Sequence, residues 1–245
     1  MRKINEQVIE KMVKDFLNGI LNPLLDLLQH DDTLDLEIRE NYMNIYYRGG
    51  SLFKLMPENK IFKTVFNLNY YNIEDEIDDS DTEINIEVIY ISDSESCKEF
   101  VNIIKNRKQV MDRWFSNHPK LEREFQQIIA RENNLSQKSN FYICDIEVTD
   151  QSSSSRFDMT LIQRPDRSPY SKLKLYVAEL KYGDSAIKEK SGIVDHYVKT
   201  TKIPLSELKS MRESALLILN FKKEMKLIKL NKNHKDLTMS FEENS

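Results

Sequence analysis

Residues 177–183 read VAELKYG, an apolar run that ends in a glutamate and a lysine two positions apart. Side chains of an extended chain alternate in direction, so Glu179 and Lys181 point to one face, roughly 7 Å apart along the backbone. A second carboxylate, Asp158, stands in the preceding stretch RFDMTLIQ and reaches the same patch if the two stretches pair as a hairpin. Two carboxylates at fixed separation offer hard oxygen ligands to Mg2+ or Mn2+, ions that keep waters for substrate and nucleophile. Such an ion polarises a phosphate and lowers the pKa of bound water. A lysine on the same rigid strand can orient or deprotonate that water and offset the charge gathering in the transition state. The chemistry that uses this set is metal-assisted phosphodiester hydrolysis. The plainer alternative is an ion pair at a strand end, which is common and contributes little when exposed. Apolar residues precede the pair and Gly183 follows it, so the charges close a core strand ahead of a turn, which favours the metal site.

The elements that must hold these residues follow from periodicity. From Pro119 the order reads helix (119–133), strand FYICDIEV, polar turn, strand RFDMTLIQ, turn RPDRSPY, strand KLKLYVAELKYG, helical stretches at about 185–200 and 206–212, and strand SALLILNF. This is an αβββαβ order. Asp145 and Glu147 share a face of the first of these strands, where they could support the metal ligands from behind or face solvent, and solvent-facing is the favoured reading. Further back, Ile9, Met12, Val13, Phe16, Leu17, Ile20 and Leu21 recur at helical spacing until Asn22-Pro23 interrupts them. LDLEIR, YMNIYYRGGSLFKL, IFKTVFNL and INIEVIYI read as strands, with a hairpin turn at RGGS, and a helix spans about 94–115. The acidic run 73–83 lacks the glycine and closing glutamate of a calcium loop and reads as a solvated loop. The expected organisation has two parts: an N-terminal α+β lobe over 1–115, for recognition or assembly, and an α/β domain over 116–245, giving α+β overall.

The αβββαβ order, with Asp158 in RFDM and Glu179-Leu180-Lys181 in AELKYG, resembles the PD-(D/E)XK superfamily of restriction-endonuclease-like nucleases over about 119–221. The resemblance implies a central mixed sheet, with Asp158 and Glu179 as metal ligands, the Leu180 carbonyl as a further ligand and Lys181 as the catalytic lysine. Phe157 stands where the family's name has proline. The stretch LEREF, 121–125, is similar to the E-R pair that opens the corresponding helix in archaeal-type junction resolvases, which implies Glu122 as an additional acidic group. Helix geometry alone does not choose it. Leu121, Phe125, Ile128, Ile129 and Glu132 define the expected inward stripe, with Glu122 and Glu124 on its flanks, and each helix glutamate can equally face solvent.

A net charge of −4 over 245 residues hides a segregation. Residues 1–155 hold 18 Lys/Arg against 28 Asp/Glu, whereas residues 156–235 hold 18 against 9. The basic surplus thus accompanies the Asp158–Lys181 region and suits an anionic partner: a nucleic acid and, by the resemblance, DNA. Ser191-Gly192 would let a phosphate backbone approach, and Lys188, Lys190 and Lys199 would supply cations. His196 reads as a surface or packing residue, Tyr197 invites base stacking, and Arg48 belongs to the hairpin turn. The apolar run FLNGILNPLLDLL is too short to span a membrane, is broken by Pro23 and carries Asp26. The charged N-terminus shows no signal-peptide pattern, and Cys97 and Cys144 have neither zinc nor disulfide spacing. The expectation is therefore a cytoplasmic, Mg2+-dependent nuclease, with a homodimer as one way of cutting both strands. The alternative is a nuclease-fold protein without catalysis, acting in nucleic-acid binding or protein assembly.

Overall fold

The computed structural model describes residues 4–74, 85–149, 156–164, 173–182 and 204–229. They fall into two compact units, Asn5–Gln127 and a second from Ile128 onward, with the division inside a single helix.

In the N-terminal unit the apolar period builds α1 (Glu6–Asn18), whose buried face is Ile9, Met12, Val13 and Phe16. The Asn5 side chain caps it by accepting from the Val8 N–H. Gly19 ends it, and Pro23 lies in the first turn of α2 (Asn22–His30), where a missing N–H costs nothing. Strands β1 (Leu34–Ile38), β2 (Met43–Tyr47), β3 (Gly50–Glu58), β4 (Ile61–Asn67) and β5 (Ile86–Ile91) form an antiparallel sheet in sequence order. Arg48 and Gly49 make the turn between β2 and β3, both with positive φ, as a two-residue hairpin requires. A short 3-10 turn, Leu68–Tyr71, follows β4. An Asp93–Ser96 capping box then opens α3 (Ser94–Asn117). Phe53, Phe66, Phe100, Tyr70, Trp114 and Phe115 join sheet and helix through a chain of tilted and edge-on ring contacts.

Helix α4 (Leu121–Leu135) runs across the division. In the C-terminal unit β6 (Phe141–Thr149), β7 (Arg156–Gln163) and β8 (Leu175–Ala178) make a three-stranded antiparallel sheet. The last element among the described residues is α5 (Leu205–Glu224), which buries Met211, Ala215, Ile218, Leu219 and Phe221.

The molecule is thus α+β, with helices and two antiparallel sheets. Two expectations are corrected. SALLILNF, 214–221, is not a strand but the second half of α5. An apolar run of eight fits either period, and what decides it is the continuous, Gly- and Pro-free path from Leu205 with strong helix formers such as Leu and Ala. With that strand gone, no parallel pairing, and so no mixed sheet, occurs among the described residues. No helix among the described residues is long and apolar enough to cross a membrane. Cys97 and Cys144 are buried free thiols, and burial pushes the Cys97 thiol up from its ordinary range.

Candidate functional site

The small sheet brings the acidic residues of the C-terminal unit into register. β7 and β8 pair Met159 with Ala178 and Thr160 with Val177. Pairing ends at Ala178; Asp158 is the next residue of β7 and Glu179 the first beyond β8, so an extension of the same register by one step would bring the two across from each other. On the other side of β7, Asp145 stands opposite Thr160. A bulge between Ile143 and Asp145 makes this so. Without the extra residue, the pairing of Ile143 with Leu161 would place Asp145 against Met159, on the other face. The face that carries Asp145 and Asp158 becomes apolar farther along, where Tyr142, Cys144, Ile162 and Leu175 pack with Ala215 and Leu219 of α5.

Direct bonds draw the end of this face together. The Asp158 carboxylate accepts the Leu180 N–H at Oδ2, 2.7 Å away. The Lys181 ammonium donates to Glu179 Oε1 at 2.8 Å, and the two side chains are only 15% and 14% exposed. β8 itself ends at Ala178, so Glu179 and Lys181 lie past its last paired residue rather than within the longer strand the sequence suggested. The Asp158 carboxylate takes up the backbone donor at that point, tying β7 to the segment between the glutamate and the lysine.

Asp145 corrects another expectation, for it is 5% exposed and not solvent-facing. Asn134, buried in the last turns of α4, explains how the bulge before it is held. Its amide donates to the Ile143 carbonyl and accepts the Ile143 N–H, both at 2.9 Å. Sequence reasoning missed this pair of roles because a bulge leaves no periodic signal; the one hint was an aspartate inside the apolar run YICDI. Glu147 has φ 53°, left-handed for a residue with a side chain, a conformation that costs energy and clusters at functional sites.

The donors at this strand end are carboxylate and carbonyl oxygens, which suit Mg2+ or Mn2+ rather than a thiolate-seeking metal. Among the described residues no three His, Cys, Asp or Glu side chains gather closely enough to hold an ion. A cation here would therefore rest on Asp158, Glu179, the Leu180 carbonyl and water, a small protein share of the kind Mg2+ takes.

The other candidates separate. Glu122 is half-buried in the first turn of α4 and belongs to the N-terminal unit, whereas Asp158, Glu179 and Lys181 belong to the C-terminal one. The expected apolar stripe of α4 is corrected: Gln126, Gln127, Ala130 and Asn134 are buried, while Leu121, Phe125 and Glu132 are exposed. Gln127 shows why, since its amide accepts the Gly49 N–H at 2.7 Å and donates to the carbonyls of Thr33 and Tyr46 at 3.1 and 3.2 Å. Backbone groups that no ladder satisfies draw a polar side chain inward. Glu124 is bonded to Arg48 at 3.0 Å, and Arg48 also reaches Asp112 at 3.2 Å and lies over the Phe115 ring. The acidic run from 75, and Gly183, Lys188, Lys190, Ser191, Gly192, His196, Tyr197 and Lys199, lie outside the described residues.

No family model, curated protein or solved structure matches the chain.

Proposed function

We propose that the chain is a metal-dependent phosphodiesterase acting on nucleic acid, DNA by the resemblance, with Asp158 and Glu179 holding Mg2+ or Mn2+ and Lys181 as the catalytic lysine. One observation carries this reading: the Asp158 carboxylate accepts the N–H of Leu180, the residue between Glu179 and Lys181, which supports a site at the end of β8 made of both acids and the lysine of E-x-K. In finer terms, α4 and β6–β8 correspond to the helix and three strands of a restriction-endonuclease-like core.

The Leu180 N–H fixes the Asp158 carboxylate and so presents it in one orientation. Lys181 holds Glu179 Oε1 in the chain alone; a phosphate oxygen or the attacking water offers the ammonium an alternative acceptor. When bound, the ion polarises the phosphate and lowers the pKa of its water. Lys181 adds a cation beside the phosphorane-like charge without depending on proton transfer. Glu122 is the proposed additional acidic group, and the N-terminal unit the recognition element.

The second reading, a nuclease-fold protein without catalysis, draws on the same Lys181–Glu179 bond, since the pair satisfies itself without a ligand. Cleavage of linear, branched and single-stranded DNA in Mg2+ or Mn2+, together with calorimetric metal titration, decides between them. The wild type is expected to cleave at least one substrate, Asp158→Ala to lose both cleavage and metal binding, and Glu122→Gln to lose more than Glu132→Gln. Absence of metal-dependent cleavage on every substrate, with no metal uptake, establishes the second reading.

A further inference from the structure

The five-stranded sheet of the N-terminal unit has two unlike faces. Leu55, Thr64, Phe62 and Phe66 are buried on the face that also carries Ile91. On the opposite face the register runs Met56, Lys63, Tyr90 across β3, β4 and β5, and in the next row Lys54, Val65, Val88. Tyr90 is 52% exposed and Val88 36%, on β5, the last strand of the sheet.

Several cations of this unit are committed elsewhere. Arg48, Arg107 and Lys108 are each bonded to a carboxylate. Neither Lys54 nor Lys63 has an ion-pair partner among the described residues. Glu87, the acid of β5, pairs in register with Phe66 and is bonded to Arg107 on the other face; among the acids that share the face of the rows are Glu58 at the end of β3 and Glu37, which stands in the Lys54 row across Asn44 and is buried against Arg39. The face therefore offers an exposed phenol ring, an apolar surround and two lysines without acidic partners.

We propose that this face binds single-stranded nucleic acid, with Tyr90 as a stacking platform for a base and Lys63 and Lys54 as phosphate contacts. Complementarity selects the ligand. A planar ring beside uncommitted ammonium groups matches a chain that alternates flat bases with anionic phosphates. A duplex fits less well, because its bases are already stacked and its affinity comes from many phosphate contacts, whereas residues 1–155 carry an acidic excess of 28 against 18. The inference deepens the nucleic-acid reading, on which it rests for its purpose, and names the substrate class as single-stranded.

The test is fluorescence anisotropy of labelled oligo(dT) and oligo(rU) with the full chain in EDTA, so that binding does not pass through the metal centre. The wild type is expected to bind. Tyr90→Ala should weaken binding by about fivefold to a hundredfold, the range for loss of one base–aromatic stack. Tyr90→Phe should bind as the wild type does. Lys54→Glu and Lys63→Glu should each weaken binding and lower the salt dependence by about one counterion. Tyr90 is exposed and Lys54 and Lys63 are half-buried on the same face, and circular dichroism confirms that the four variants fold. Wild-type affinity in Tyr90→Ala and both lysine variants overturns the proposal. So does a wild type that binds neither oligonucleotide, or one that self-associates through β5 in a manner lost in Tyr90→Ala and shows no oligonucleotide binding. Metal-dependent cleavage, measured separately, can fail while oligonucleotide binding persists, which would remove the nuclease reading and leave this surface standing.

Discussion

Several ion pairs of the N-terminal unit reach farther along the chain than the Lys181–Glu179 pair of the C-terminal one. In the N-terminal unit they join elements far apart in sequence: Arg48, on a hairpin turn, reaches Asp112 of α3 and Glu124 of α4; Lys108 of α3 reaches Asp31 after α2; Arg107 of α3 reaches Glu87 of β5. Each such bond fixes one element against another. In the C-terminal unit Lys181 bonds Glu179, two residues away on one segment, and Asp158 bonds the backbone between them. The Lys181–Glu179 bond joins residues two apart on one segment, so by itself it fixes no element against another. The contrast teaches that the first set of charges fixes element against element, whereas the role of the second, on the reading proposed above, is to meet a ligand.

The largest expected effect breaks the comparison cleanly. Lys181→Ala should lower cleavage by about two to four powers of ten, the range of an acid–base or electrostatic group, while the melting temperature holds. Mg2+ binding should persist, because an ammonium is no ligand and its removal relieves repulsion of the cation. Arg48→Ala should do the reverse at the level of stability, costing about 1–3 kcal/mol because two carboxylates lose a charged hydrogen-bond partner. Cleavage rates and denaturation curves of both variants check this. A Lys181→Ala protein that melts early with unchanged cleavage would make the Glu179 pair structural.

A middle-sized effect sharpens the account of how the acidic face is aimed. Asn134 saturates both backbone groups of Ile143 beside the bulge that turns Asp145 toward the Asp158 face. Asn134→Ala leaves a buried N–H and carbonyl without these bonds, for a loss of about 1–3 kcal/mol. If the bulge aims the acids, metal affinity should fall as well, by more than in an equally destabilised variant of the N-terminal unit such as Gln127→Ala. Equal metal affinity in the two would leave Asn134 a purely structural residue.

What sequence could show here depended on the range of the cause. The strands around the RGGS turn were legible because alternation and turn residues act over a few positions, and so was the pairing of the RFDMTLIQ and LYVA stretches, adjacent strands of like alternation. α5 was misread at 214–221, since an apolar run of eight residues fits both periods and only its uninterrupted link to 205–213 decides. The polar inward face of α4 was hidden for a different reason: Gln127 and Asn134 answer backbone groups of Gly49, Thr33, Tyr46 and Ile143, which no pattern within the helix announces. Asp145 was placed on the wrong side because a bulge shifts the alternation by one residue without changing composition.

The smallest effect tests whether a tie in the N-terminal unit behaves as a charge or as a spacer. Burial alone would raise the Asp31 carboxyl, but its bonds to the Lys108 ammonium and to the hydroxyl and N–H of Thr33 outweigh this and hold it below its ordinary 3.8. A group whose folded value is depressed contributes stability that is present above the unfolded value and lost as pH falls through the folded one. Asp31→Asn keeps an acceptor for Thr33 and removes the charge. At pH 7 it should cost under about 1 kcal/mol, since the pair is partly solvated and screened. The difference between wild type and variant should shrink as pH falls below 3.8, and added salt at pH 7 should shrink it too. Urea denaturation at stepped pH measures both. A gap that stays constant through the acid range would mean that Asp31 works by the shape of its hydrogen bonds alone, and that the ties of this unit are not electrostatic in the sense that separates them from Glu179 and Lys181.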